Sequence, residues 1–188
     1  MKEVNWNNIP FIYKAFIFLF NPKVKGEMIN EKENIILAGN HVHFLDVILL
    51  NMITEREVYI LLREEHFNGI KKGILEKLGC IPIKKNQNGL ESIRDVLVSL
   101  EDGKCLGIFL EEINKKSDSI ILPFKLGTVT IAKRSKTNII PFAITGKYRL
   151  IKNDLTLTLV KEINVDRYSQ DELLEKLDND VKELILRK

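Results

Sequence analysis

The sequence predicts a single α/β domain with a mixed, largely parallel central sheet flanked by helices, plus an N-terminal membrane-surface helix. Three observations carry this. Short aliphatic and β-branched runs such as 35–38 (IILA), 106–110 (LGIFL) and 139–145 (IIPFAIT) have the length and composition of buried strands. Between them lie stretches with apolar residues at helical spacing. The two kinds alternate along the chain, the order that builds strand–helix–strand domains. The 188 residues are enough to close one sizeable core, with no repeat or low-complexity tract to divide it. Residues 1–24 form the N-terminal interfacial segment in this reading, and 25–188 the domain proper.

The first unusual stretch is 10–20 (PFIYKAFIFLF). A membrane-crossing helix needs roughly 20 apolar residues, and this run is shorter and contains Lys14. A secretory leader places basic residues ahead of the apolar run and small ones behind it, whereas Glu3 precedes this one and Lys23 and Lys25 follow it. The composition suits a helix lying in the lipid headgroup layer with its lysine stems reaching outward. A helix packed in the core or between subunits fits the segment equally well.

After a charged connector (25–33), residues 35–38 read as a buried strand and 44–52 as a helix behind it. Residues 58–62 read as the second strand, and a helix from 69 or 70 to 78 is stopped by Gly79. The third strand is 81–83. Over 88–100, Leu90, Ile93, Val96, Leu97 and Leu100 share one helical face, ended by Asp102 and Gly103. The fourth strand is 106–110, and 111–119 is polar and turn-forming. Residues 127–135 are expected to be helical despite their β-branched content, because stronger strand signals lie on both sides. Strands follow at 139–145 and 155–160 (LTLTLV). An amphipathic helix over 169–187 closes the chain, opened by a Ser169/Glu172 capping box.

The 29 Lys and Arg against 26 Asp and Glu leave a net charge of +3, too small and too mixed to imply a nucleic-acid partner. Cys80 and Cys105 lie in apolar surroundings without CxxC partners, and read as buried thiols in a reducing compartment. Three histidines without a matched cysteine or acid cluster make a poor metal site, so no metal is expected.

In such sheets chemistry gathers where strands end and loops begin. The sharpest candidate there is Gly39-Asn40-His41-Val42-His43-Phe44-Leu45-Asp46. A histidine with a free pKa of roughly 6.5 can accept a proton at neutral pH, provided a carboxylate fixes its tautomer and stabilises the imidazolium. On one continuous helix, five steps of about 100° would hold His41 and Asp46 roughly 140° apart. They can meet if His41 sits in the strand-to-helix turn and Asp46 in the first helical turn. Spacing alone equally allows Asp46 to be a simple first-turn acid and His41 a loop histidine bonded to backbone.

Asn40-His41 with Phe44-Leu45-Asp46 resembles the NHxxxxD motif of the glycerolipid acyltransferases, and other segments resemble that family in the same order. Residues 61–64 (LLRE) are similar to its AKKE-like segment, with Arg63 in a basic position, and 78–85 (LGCIPIKK) to its LGxIPVDR strand. Phe109-Leu110-Glu111 falls where FPEGTR is expected. Residues 123–127 (PFKLG) resemble its PFKxG segment, and 140–144 (IPFAI) its VPVAI-like strand. The resemblance runs from Ile35 to Gly146, and ordered agreement at several sites is more specific than any one motif. By it the chain is identified as a member of the 1-acyl-sn-glycerol-3-phosphate acyltransferase family.

The resemblance implies transfer of a fatty acyl group from a thioester to the hydroxyl of a lysophospholipid-type acceptor, 1-acyl-sn-glycerol-3-phosphate, in phospholipid biosynthesis. Acyl-CoA or acyl-ACP is then the co-substrate, without a cofactor, and the protein is peripheral or monotopic on the cytoplasmic side of the cell membrane. His41 becomes the general base and Asp46 its orienting partner. Asn40, Arg63, Lys85, Glu111 and Lys125 face the substrates, Arg63 and Lys85 holding the acceptor phosphate. The chain departs from the family at Glu111-Glu112-Ile113-Asn114, where EGTR is usual, and at Lys85, where an arginine is usual. A lysine binds phosphate as a point charge without the bidentate fork. Lys115 and Lys116 either replace the missing arginine or are solvated loop lysines. The alternative to an enzyme is a lipid-binding, membrane-surface protein of the same fold that has lost catalysis. His43 reads as a loop or supporting histidine, and His66 belongs to no motif.

Overall fold

The computed structural model describes residues 11–26, 29, 33–54, 56, 58–64, 67–68, 70–83, 105–110, 126–150 and 154–186. The helix expected over 88–100 and the loop expected over 111–119 lie outside the described residues, as do Lys85, Glu111 and Lys125. Seven strands form one sheet: β1 (Lys23–Lys25), β2 (Ile35–Gly39), β3 (Val58–Arg63), β4 (Cys80–Ile83), β5 (Cys105–Phe109), β6 (Asn138–Thr145) and β7 (Thr156–Leu159). Their spatial order is β1-β7-β6-β2-β5-β3-β4. All neighbours pair in parallel except β6 and β7, so the sheet is mixed and largely parallel.

β2 lies between β5 and β6 and is buried throughout. A strand covered on both faces needs no polar alternation, which is why IILAG is apolar from end to end. Successive side chains leave a strand on opposite faces. Ile35 and Leu37 accordingly enter one core, and Ile36 and Ala38 the other. The first core is covered by α1 (Phe11–Phe20) through Phe16, by α2 (Asp46–Asn51) through Val47, Leu49 and Leu50, and at its margin by Leu75 of α3 (Ile70–Lys77). The second is covered by Val129, Ile131 and Ala132 of α4 (Leu126–Ser135), and by Leu173, Leu177 and Val181 of α5 (Gln170–Leu186).

α4 is helical as expected, because packing its buried β-branched residues outweighs their weak helix propensity. α5 opens with the expected capping box. The Ser169 N–H donates to Glu172 Oε2 at 2.7 Å and the Glu172 N–H to Ser169 Oγ at 3.3 Å. The first of these bonds holds the Glu172 carboxyl below the usual carboxylate range. Cys80 and Cys105 are buried free thiols, and burial pushes that of Cys80 up to about 12.

One feature of the N-terminal region differs from the sequence reading. Lys23–Lys25, divided there between the interfacial segment and the connector, forms the edge strand β1 beside β7. Its entry is set by the Lys23 N–H donating to the Leu155 carbonyl at 2.9 Å, a backbone contact that no side-chain pattern announces. All three residues are exposed, and two lysines on an edge discourage further strand addition. α1 packs Phe16 into the core at 3% exposure, as the second reading of this helix holds, while Phe18 on the same helix is 85% exposed. Among the described residues, no helix is long and apolar enough to cross a membrane.

The C-terminal end of β2 approaches β6 so closely that a Cβ on Gly39 would overlap the Phe142 carbonyl oxygen and ring. Overpacking of this kind typically costs about 1–3 kcal/mol, and Gly39→Ala is expected to lower the denaturation midpoint accordingly. An unchanged midpoint would show that β2 and β6 separate freely at this point.

Candidate active site

At Gly39 the chain leaves β2, runs through an irregular turn over 40–45 and enters α2 at Asp46. This is the arrangement in which a histidine and an aspartate five residues apart can meet. His41 Nδ1 lies 2.8 Å from Asp46 Oδ2. The same oxygen accepts the backbone N–H groups of Val42 at 2.8 Å and His43 at 2.9 Å, so the carboxylate also ties down the turn that carries the histidine. Its other oxygen, Oδ1, accepts the Tyr148 hydroxyl. Asp46 is completely buried.

This donor set decides the protonation pattern. Backbone N–H groups can only donate, so Oδ2 carries no proton. Burial first, then the neighbouring Asp46 carboxylate, pushes the Tyr148 phenol far above its ordinary range, so it stays protonated and donates to Oδ1. Asp46 is therefore a carboxylate surrounded by donors, and His41 Nδ1 supplies one of the protons. The lone pair of His41 is then on Nε2, which has no hydrogen-bond partner among the described residues. The imidazole is 15% exposed and stacks on Phe109 at the end of β5, with centroids 4.3 Å apart and planes at 29°. Phe109 in turn meets Phe142 edge-on. A ring fixed in tautomer and orientation, with one nitrogen free of protein partners among the described residues, is equipped to act as a general base.

Asn40 lies one residue beyond β2 and is 5% exposed. Its Nδ2 donates to the Ile144 carbonyl at 2.8 Å, and its Oδ1 accepts the Ile144 N–H at 2.7 Å. The carboxamide expected to face substrate is thus engaged with the chain's own backbone, where it clamps the start of the His41 turn to β6. Arg63 is the last residue of β3, at the same C-terminal edge of the sheet as Gly39. His43 Nδ1 accepts the Leu45 N–H at 3.3 Å, and its ring lies 4.6 Å from both Phe44 and Tyr148. Among the described residues, no group of three or more His, Cys, Asp or Glu side chains is placed to hold a metal ion.

Tyr148 is the site residue that the sequence reading missed. It is 102 residues from Asp46, and no motif marks it. The one local signal is Gly146, directly after β6, with φ of 89° and a Cβ position blocked by the Asp154 carbonyl. That left-handed turn, which favours glycine, redirects the chain so that Tyr148 returns over Asp46.

A profile of the acyltransferase family matches residues 21–145, well over half of the chain. The chain is 29% identical over 129 residues to the 1-acyl-sn-glycerol-3-phosphate acyltransferase of Bacillus subtilis strain 168, a match spanning 64% of this chain and 63% of that relative's length. Its fold is similar to the crystal structure of the 1-acyl-sn-glycerophosphate acyltransferase from Thermotoga maritima, with a TM-score of 0.70, covering 93% of this chain and 76% of that one. At 20% identity this second likeness speaks for the fold alone. The profile runs from just before β1 to the end of β6 and takes in the bonded His41 and Asp46, so the chain belongs to the acyltransferase family.

Proposed function

We propose that this protein transfers a fatty acyl group from acyl-CoA or acyl-ACP to the free hydroxyl of a lysophospholipid-type acceptor, 1-acyl-sn-glycerol-3-phosphate, in phospholipid biosynthesis. The observation that carries the reading is the bond between His41 Nδ1 and Asp46 Oδ2, with Nε2 bonded to no other described residue. In the proposed mechanism Nε2 takes the acceptor's hydroxyl proton as the oxygen attacks the thioester carbonyl carbon. The tetrahedral oxyanion collapses, the C–S bond breaks, and the departing thiolate takes the proton from Nε2. An ester and a thiol are formed, and Asp46 remains ionised throughout. General-base assistance contributes typically 10²–10⁴-fold. Holding the two substrates together and stabilising the oxyanion supply the remainder. The thioester is consumed as co-substrate, and the sequence of steps is redox-neutral.

A working position on the cytoplasmic face of the membrane is part of the proposal. Phe18 and Leu19 on α1 are exposed, as are Val42 and Phe44 on the turn that carries His41, and Lys23 and Lys25 lie just beyond α1. Exposed apolar side chains and lysines of this kind suit the boundary between headgroups and acyl chains. The assembled His41–Asp46 bond favours an enzyme over a lipid-binding protein of the same fold.

The test is a transfer assay on purified protein with lysophosphatidate and other lysolipids, each offered with acyl-CoA and with acyl-ACP. Thioester loss matched by diacyl product on lysophosphatidate is the expected result. Folded protein that binds anionic vesicles but acylates none of these lysolipids from either donor would overturn the reading.

A further inference from the structure

We infer that Tyr148 is a positioning residue for the His41–Asp46 pair and that α1 holds it in place, so that the seating of α1 and the readiness of the base are coupled. The kinetic consequences rest on the acyltransferase reading, but the geometry does not.

Asp46 Oδ2 has three donors, whereas the Tyr148 hydroxyl is the only donor to Oδ1 among the described residues. In a residue with no exposure, removing it would leave a charged oxygen buried and unsatisfied, a costly arrangement. A carboxylate held at both oxygens cannot turn about its terminal torsion, so Oδ2 stays aligned with Nδ1 of the histidine. Two of the three rings that meet the Tyr148 ring belong to α1. It meets Phe20 edge-on at 5.5 Å and Phe16 at 6.2 Å, and it lies 4.6 Å from His43. Phe16 and Phe20 are four residues apart on one helical face, with centroids 5.0 Å apart. Without α1, two of these three ring neighbours are lost. Phe18 on the same helix is exposed, so one helix bears on Tyr148 and on the surroundings at once.

Among the described residues, the ionisable groups in contact with Asp46 or with the Tyr148 ring, besides His41, are His43, on the same turn, and Tyr148 itself. β5 contributes Phe109, and α1 contributes Phe16 and Phe20, none of which titrates.

The test uses Tyr148→Phe and Phe20→Ala in the full chain, with histidine-labelled NMR and kcat/KM pH profiles as readouts. Tyr148→Phe keeps the ring and removes the hydroxyl. The Asp46 carboxylate then has one donor fewer and holds the imidazolium proton more tightly, so the His41 titration midpoint and the acidic limb of the profile both move to higher pH. A bond to a charged group being lost, kcat is expected to fall about tenfold with both KM values within about twofold. Phe20→Ala should produce part of the same shift, and Phe20→Leu should restore it. A Tyr148→Phe protein with unmoved His41 titration, or one that loses activity with an unmoved pH profile, overturns the positioning role. A Phe20→Ala spectrum identical to wild type overturns the link to α1. If the His41 titration moves but no variant, wild type included, transfers acyl groups, the positioning role stands and the acyltransferase reading falls.

Discussion

His41→Ala is expected to lower kcat for acyl transfer by about 10²–10⁴-fold, the usual contribution of a general base. The fold should survive. Asp46 keeps the Val42 and His43 N–H groups and the Tyr148 hydroxyl, so the turn remains tied to its carboxylate. The partly exposed imidazole gives up one hydrogen bond and its stacking on Phe109, a loss of about 1 kcal/mol, which for a chain of this size lowers the melting temperature by about 2–4 °C. Steady-state assays of thioester consumption, run beside thermal melts, separate the two effects. Full turnover by a folded His41→Ala protein would remove the histidine from the mechanism.

Asp46 is expected to show a split between activity and stability that His41 does not. Asp46→Ala removes the acceptor for four donors at once, in a site closed to water. Each buried donor left without an acceptor costs about 1–3 kcal/mol, and partial relaxation brings the expected total to about 3–5 kcal/mol, the scale of breaking a buried charged network. Both the denaturation midpoint and kcat should therefore fall. Asp46→Asn preserves the shape, with its amide oxygen available to the two backbone N–H groups and its amide nitrogen directed toward the Tyr148 hydroxyl. Its midpoint should stay much closer to wild type. The neutral amide cannot stabilise an imidazolium, and kcat is expected to fall about 10³–10⁴-fold. Denaturant titrations and turnover measured on both variants decide the matter. An asparagine as destabilising as alanine would contradict the donor arrangement, and an asparagine with wild-type kcat would contradict the electrostatic role.

The parts of the molecule legible in the sequence were those whose determinants are close along the chain. Residues 35–38 and 139–145 announced β2 and β6 because strands buried on both faces are apolar throughout. Ser169 and Glu172 announced the start of α5 because a capping box is a contact between neighbours. α4 was harder, since its own β-branched residues favour a strand and only the flanking strand signals argued for a helix. β1 was invisible. Three residues with a single apolar side chain carry no period, and their place comes from pairing with β7, more than a hundred residues away.

The candidate site divides in the same way. His41 and Asp46 could be named from the sequence because they lie only five positions apart, and Asn40 because it precedes them in the motif. What Asn40 does, clamping the turn to Ile144 of β6, depends on β2 and β6 being adjacent in the sheet. Phe109 reaches His41 because β5 flanks β2 on the other side. Tyr148 reaches Asp46 because the chain turns back at Gly146, and its ring rests on Phe16 and Phe20 because α1 packs over the same face. By itself, then, the sequence determined β2 to β7 and the described helices, the order in which they occur, and a histidine and an acid able to meet, since hydrophobic period and short loops are local properties. Only the tertiary structure decided which distant side chains close around that pair, because the sheet order and the packing of α1 bring together residues a hundred positions apart, and no local pattern records that proximity.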